Sequence, residues 1–313
     1  MAAFLKRANP ASQPSGRPHT AVEIAPEGVL VASLPSPNQH PVVAWTALPA
    51  GALVPGIAEA NLRHPELVAQ TLQTAIDRAA PKSRAVTLVV PDTTTRVFVL
   101  DFDTLPSKPA EAISVLRFRL RKMVPFDVEQ AAVSYQFLGQ TEPAEKRNEE
   151  GSVKVLAAII PGAILAEYEA AVRAAGHEPG AVLPSSLAAL AALDSMEPVL
   201  TANLAGTALT TTISTSLDLY LYRTVELPTE GNAWVTEIQR NITVAAAFYE
   251  DKLQARPRRL HYAGGLDPRE FAQAIDNPEL EVVEVAPLPS YGVATPVGSV
   301  SYAGVCGALA GVA

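Results

Sequence analysis

The chain has 313 residues, enough for two core-bearing lobes or one large domain. With 48% hydrophobic and 18% charged residues it has an ordinary globular balance. A formal charge of −8 and a pI near 5.2 argue against a general nucleic-acid binder, which is usually basic, and give no broad attraction to anionic lipid.

From the start, residues 1–19 read as a flexible tail. Lys6 and Arg7 have no apolar run after them, and Asn9 to Pro18 is rich in Pro, Ser and Gly, so a signal peptide is not expected. Ala21 to Ile24, Val29 to Ser33 and Val42 to Leu48 read as a three-stranded antiparallel meander. Val68, Leu72, Ala75, Ile76 and Ala79 recur at helical spacing, which predicts a helix over 65–79 ended by Pro81. Two strands follow, 85–90 and 96–101, around Pro91-Asp92-Thr93. Asp101 and Asp103, near Asp92, are expected on a solvated face.

A second helix is predicted from Pro109 to Met123, with Ile113, Leu116, Leu120 and Met123 as its apolar stripe. Phe118 lies about 200° round from Leu116 and points away from that stripe. Next come a strand at 132–138, a polar loop at 141–151, a buried strand at 152–160, and a helix opened by Pro161 and closed by Gly176. A boundary is expected near 179–184, then a short helix over 185–193. A second meander is read at 199–204, 208–214 and 218–225. The longest helix spans about 232–253, and a strand at 259–262 runs into Gly264-Gly265. A helix, a strand and a small-residue terminal helix complete the chain. Strands alternating with helices mark an α/β protein, and the repeated meander suggests two related lobes with a cleft between them.

The chemistry-bearing residues exclude several classes. Cys306 is the single cysteine, so no internal disulfide forms and a reducing compartment fits; it reads as a packed helix residue. His19, His40, His64, His177 and His261 show no metal spacing, and no metal site is expected. Ser185-Ser186 and Thr210 to Thr212 stand outside any nucleophile-elbow context, and neither phosphate-loop nor dinucleotide fingerprint is present. No run of about 18 apolar residues is available to span a membrane.

The stretch Leu116 to Tyr135, with Val-Pro-Phe at 124–126, resembles the PilM family of type IV pilus assembly proteins. Val89-Val-Pro-Asp92, Ala174 to Pro179 and His261-Tyr-Ala-Gly-Gly265 support it by their order and spacing. The resemblance runs from about Ala21 onward. It implies an α/β, actin-like fold: two ribonuclease-H-like lobes with a small inserted α+β subdomain in the first. The expected boundaries are 20–82 and 179–195 for the first lobe, 83–178 for the insertion and 196–313 for the second lobe.

The resemblance also implies a cytoplasmic protein, peripheral at the inner membrane through its partner. That partner is the N-terminal tail of PilN, a single-pass membrane protein, with contacts to other pilus assembly components. Nucleic acid is not an expected partner. On the segment 118–126, Phe118, Pro125 and Phe126 offer apolar contact and Arg119 and Lys122 offer charge. The other reading of Pro125 and Phe126 is that they anchor the insertion's core.

An actin-like cleft uses two hairpin turns whose backbone N–H groups face phosphate, with an acidic residue ending each first strand for hydrated Mg²⁺. Here the first turn reads Glu23-Ile-Ala25-Pro26-Glu27-Gly28. Pro26 removes a donor, Ala25 adds a methyl group, and Glu27 brings negative charge. The second reads Asn203-Leu-Ala-Gly206-Thr207, with a neutral residue where an acid is wanted. Gly264-Gly265 keeps the form of the adenosine-packing turn. The expectation is a degenerate nucleotide cleft, a pseudo-ATPase with no catalytic residue and no cofactor. The alternative is an active ATP- and Mg²⁺-binding ATPase of the same family. A filament-forming relative and the cytoplasmic part of a type II secretion protein are further readings.

Overall fold

The computed structural model describes residues 17–35, 40–139, 153–229, 232–285 and 300–310. The expectations for residues 1–16 and for the polar loop at 141–151 fall outside the described residues.

Strands β1 (Thr20–Ala25), β2 (Gly28–Ser33) and β3 (Val42–Ala47) form the expected meander, with β1 antiparallel to β2 and β2 to β3. Helix α1 (Pro65–Ala79) packs Val68, Leu72 and Ile76 against that sheet and returns the chain as β4 (Ala85–Val90), parallel to β1. Five of the six β4 residues are buried, as a strand covered on both faces requires. Strand β8 (Glu178–Pro184) extends the sheet, giving the order β3-β2-β1-β4-β8.

The second half repeats this plan. Strands β9 (Val199–Ala205), β10 (Ala208–Ser214) and β11 (Leu219–Glu226) make the second meander. Helix α5 (Ala233–Leu253) leads to β12 (Arg259–Gly264), and α6 (Pro268–Ile275) leads to β13 (Glu281–Glu284). The order β11-β10-β9-β12-β13 is the first sheet's order over again. The duplication is one of elements and pairing.

A third sheet, β5-β7-β6, is built from β5 (Arg96–Phe102), β6 (Ala131–Phe137) and β7 (Val153–Pro161). Helix α2 (Pro109–Leu120) covers one face through Leu116 and Leu120, which are fully buried with Val155, Ala157 and Ile159. The other face, with Leu156 and Ala158, joins the core that holds Leu219 and Tyr222 of the second meander.

Four expectations are corrected. The insertion expected over 83–178 took in β4 and β8, which pair within the first sheet, and α3 (Gly162–Ala174), whose Tyr168 and Val172 share a core with α1; the separate sheet runs only from 96 to 161. The terminal helix α7 (Ala303–Leu309), assigned to the second lobe, packs instead on β1 and on α4 (Ser185–Leu190). Residues 17–19, expected in the tail, are held: Arg17 Nη1 donates to the Ala310 carbonyl at 2.9 Å, and the His19 carbonyl accepts from Leu34 N–H at 2.8 Å. Helices α2 and α4 stop at Leu120 and Leu190, three residues before their expected ends.

Helices α4 and α7 approach so closely that a Cβ at Gly307 would fall on the Ala188 carbonyl oxygen. Because that neighbour is helix backbone, it cannot swing aside. Gly307→Ala is therefore expected to cost about 2 kcal/mol, read as a lowered thermal midpoint.

Candidate functional site: the interlobe cleft

Each meander begins with a two-residue hairpin. Pro26-Glu27 links β1 to β2, and Gly206-Thr207 links β9 to β10. Gly206 has φ +56, a left-handed conformation that glycine adopts without strain. The hairpin tips face each other across the cleft. A Cβ at Gly206 would stand 3.6 Å from Glu27 Oε1 and 3.9 Å from Pro26 Cγ, so the carboxylate and ring of one turn pack against the backbone of the other.

Behind the tips lies a chain of hydrogen bonds joining the two lobes. Asp92, two residues past β4, accepts from Ser186 N–H at 3.1 Å, from Ser186 Oγ at 2.6 Å and from the Tyr222 hydroxyl at 3.0 Å. Asn203 of β9 donates through Nδ2 to Ser186 Oγ at 2.8 Å. Asp92, Ser186 and Asn203 are all buried. Asp92, read in the sequence as part of a turn between strands, is an interior acceptor. Burial pushes its carboxyl above the ordinary carboxylate value, opposed by the Ser186 and Tyr222 hydrogen bonds.

Glu23, within β1, lines the cleft itself. Its Oε1 accepts from Ser185 Oγ at 2.6 Å, while Oε2 has no hydrogen-bond partner among the described residues. Gly304 of α7 stands so near that any side chain there would meet the carboxylate. Burial raises the Glu23 carboxyl to about 7; the Ser185 hydrogen bond opposes this, and the negative charges of Asp92 and Glu27 add to it. Burial also pushes the Cys306 thiol up to about 11, with a further push from Glu23, which fits a packed and unreactive cysteine.

The cleft encloses about 260 Å³. Of the expected cleft residues, Glu23, Ala25, Asn203, Gly206 and Gly265 line it together. Thr207 and Gly264 do not. The Thr207 carbonyl accepts from Leu227 N–H at 2.7 Å, and the bare Cα of Gly264 is covered by the ring of Tyr262. Trp45 and Trp234 line it as well, neither marked by the sequence, together with Ser185, which the sequence shows only as a serine outside a nucleophile elbow. Trp45 gets there because its indole lies over Gly28, where a Cβ would collide with the ring.

The segment 118–126 divides. Phe118 is 71% exposed, and Arg119, Lys122 and Pro125 are exposed beside it. Among the described residues, Arg119 and Lys122 form no ion pair. Phe126 is half-buried against the core of the third sheet. Arg117 turns inward and donates to the carbonyls of Val128 and Ala131, while Arg121 pairs with Glu129 at 2.8 Å.

No protein-family model and no curated protein matches the sequence. Solved structures do. The chain is similar to a PilM-PilN type IV pilus biogenesis complex, with a TM-score of 0.65, 16% identity, and coverage of 87% of this chain and 90% of that one. The fold is actin-like. A second similarity is to the cytoplasmic domain of EpsL, an inner membrane component of the type II secretion system of Vibrio cholerae, with a TM-score of 0.50 and 13% identity over 93% of this chain and 92% of that one. Between the two hairpins, Pro26 and Glu27 reach across to Gly206. No helix among the described residues is long and apolar enough to cross a membrane.

Proposed function

We propose that this chain is a non-catalytic adaptor of a type IV pilus machine. It holds the N-terminal tail of a PilN-like single-pass membrane protein, which keeps it peripheral at the cytoplasmic face of the inner membrane. The likeness of fold to the PilM-PilN complex over most of the chain supports the choice of machine and partner.

The observation that carries the non-catalytic half is the lining of the cleft. Among the described residues it includes two carboxylates, Glu23 and Glu27, and no lysine, arginine or histidine. Mg-ATP does not fit these residues. Proline at 26 supplies no N–H, the Glu27 carboxylate stands at the opposite turn, and Asn203 is engaged with Ser186. A cleft that bound Mg-ATP would gain about 2.7 kcal/mol of stability at a hundredfold excess over Kd. No shift in the thermal midpoint is expected at millimolar Mg-ATP; a saturable upward shift would instead favour an active ATPase.

For the tail, Phe118 is the proposed apolar anchor, with Arg119 and Lys122 at its rim and Pro125 and Phe126 shaping the base. An exposed aromatic flanked by cations that form no ion pair among the described residues is suited to hold a short segment. Phe118→Ala is expected to weaken binding of a fluorescent tail peptide about tenfold, or about 1.4 kcal/mol, with an unchanged thermal midpoint. Parallel loss of both affinity and stability would place Phe118 in the core rather than at the partner.

A further inference from the structure

We propose that the interlobe cleft is a binding site for an organic cation, an ammonium or guanidinium group on an apolar stem, held by the carboxylates of Glu23 and Glu27 against walls that carry Trp45 and Trp234. The inference rests on the proposed loss of Mg-ATP from the same cleft and says what the altered lining accepts instead.

The lining has the composition of a small cation site. Leu30, Leu204 and Leu266 supply apolar wall, and the chain's two tryptophans both stand in it. Indole faces attract desolvated cations through the ring quadrupole. Among the described residues, neither Glu23, Glu27 nor Asp92 forms an ion pair. Glu23 Oε2, buried beside Gly304, has no donor among the described residues, so the protein leaves part of this carboxylate's accepting capacity unused. A space of about 260 Å³ lies below the ~300–1,000 Å³ typical of drug-sized ligands and suits a side-chain-sized group. No cluster of three metal-ligating side chains exists among the described residues, so a bare divalent ion lacks its ligand set.

The titratable groups facing Glu23 are Glu27 on its own hairpin, Asp92 two residues past β4 and Cys306 on α7. All three are acids, so among the described residues no cationic group offsets the charge of Glu23, and the Ser185 hydroxyl eases it through a hydrogen bond. A cation that binds only the ionised carboxylate should therefore bind more tightly as pH rises through about 7.

Because both tryptophans stand in the cleft wall, intrinsic fluorescence of the full chain reports on it. Agmatine and arginine amide are titrated at pH 6 and pH 8, with an arginine-tipped peptide, Mg-ATP and MgCl₂ as separate arms. A saturable change with the cations is expected at submillimolar concentration. It should tighten about tenfold from pH 6 to pH 8, as an acid of pKa near 7 goes from about one-tenth to nine-tenths ionised. Glu23→Gln, which keeps an acceptor for Ser185, should weaken binding at least about tenfold at pH 8 with a retained cooperative melt. Tighter binding by the peptide than by agmatine assigns the cation to a partner's side chain, and the reverse assigns it to a free amine; either supports the site. A silent response to every arm overturns the cation site while leaving the loss of nucleotide standing. Saturable binding of Mg-ATP overturns both. A response reproduced by MgCl₂ alone, or one indifferent to pH and to Glu23→Gln, also overturns the proposal.

Discussion

Asp92→Ala is expected to destabilise the protein by about 3 kcal/mol. The substitution leaves three donors without their acceptor, namely Ser186 N–H, the Ser186 hydroxyl and the Tyr222 hydroxyl. Each buried, unsatisfied donor costs about 1–3 kcal/mol; the sum is partly offset because a buried carboxylate no longer has to be desolvated. Ser186 also links to Asn203, so the loss spreads from β4 to β9 and β11 and loosens one lobe against the other. Urea unfolding measures the loss, and amide exchange at β9 and β11 measures the loosening. Tyr222→Phe removes one donor without orphaning a charge and should cost about 1 kcal/mol. An Asp92→Ala variant within about 1 kcal/mol of the parent would show that the network does not join the lobes.

Glu23→Gln is expected to stabilise the unliganded protein at pH 8 by about 3 kcal/mol. The carboxyl titrates near 7 in the folded chain against an ordinary value of 4.5. Between those pH values the folded chain keeps a proton that the unfolded chain has released. The stability this gives is fully present below about 4.5 and is lost as pH rises through about 7. The gap corresponds to about 3 kcal/mol, an upper figure because Glu23 keeps some solvent access. Glutamine stays neutral throughout, so stability of the variant should fall less between pH 5 and pH 8. Asp92 is raised in the same direction and is present in both proteins, so the difference between the two pH profiles isolates Glu23. Parallel profiles would mean that Glu23 is ionised without cost. A residue that lowers stability and lines a cleft is what a binding role would retain.

Much of the architecture was legible in the sequence. The two meanders, α1 and α5 follow from periodicity, because a strand with one buried face alternates and an amphipathic helix repeats every three to four residues. The cleft's turns were legible too, since Pro26 and Glu27 declare their chemistry wherever the hairpin points. Asp92 was misread because a lone acid after Val-Val-Pro looks like a turn residue; only Ser186, 94 positions later, and Tyr222, 130 positions later, make it an interior acceptor. The extent of the insertion was misjudged for a related reason. Strands β4 and β8 carry no local mark of which sheet they join, because parallel pairing is settled by partners distant in sequence.

By itself, then, the sequence determined the succession of strands and helices, the acidic first turn and neutral second turn, and the exposed position of Phe118. These depend on a residue and its near neighbours. The tertiary structure alone decided that α7 closes on α4 and β1, that both tryptophans line one cleft, and that Glu23 Oε2 lies buried with no donor among the described residues. These depend on burial and on groups brought together from opposite ends of the chain, and desolvation is a property of the packed molecule that no local stretch of sequence carries.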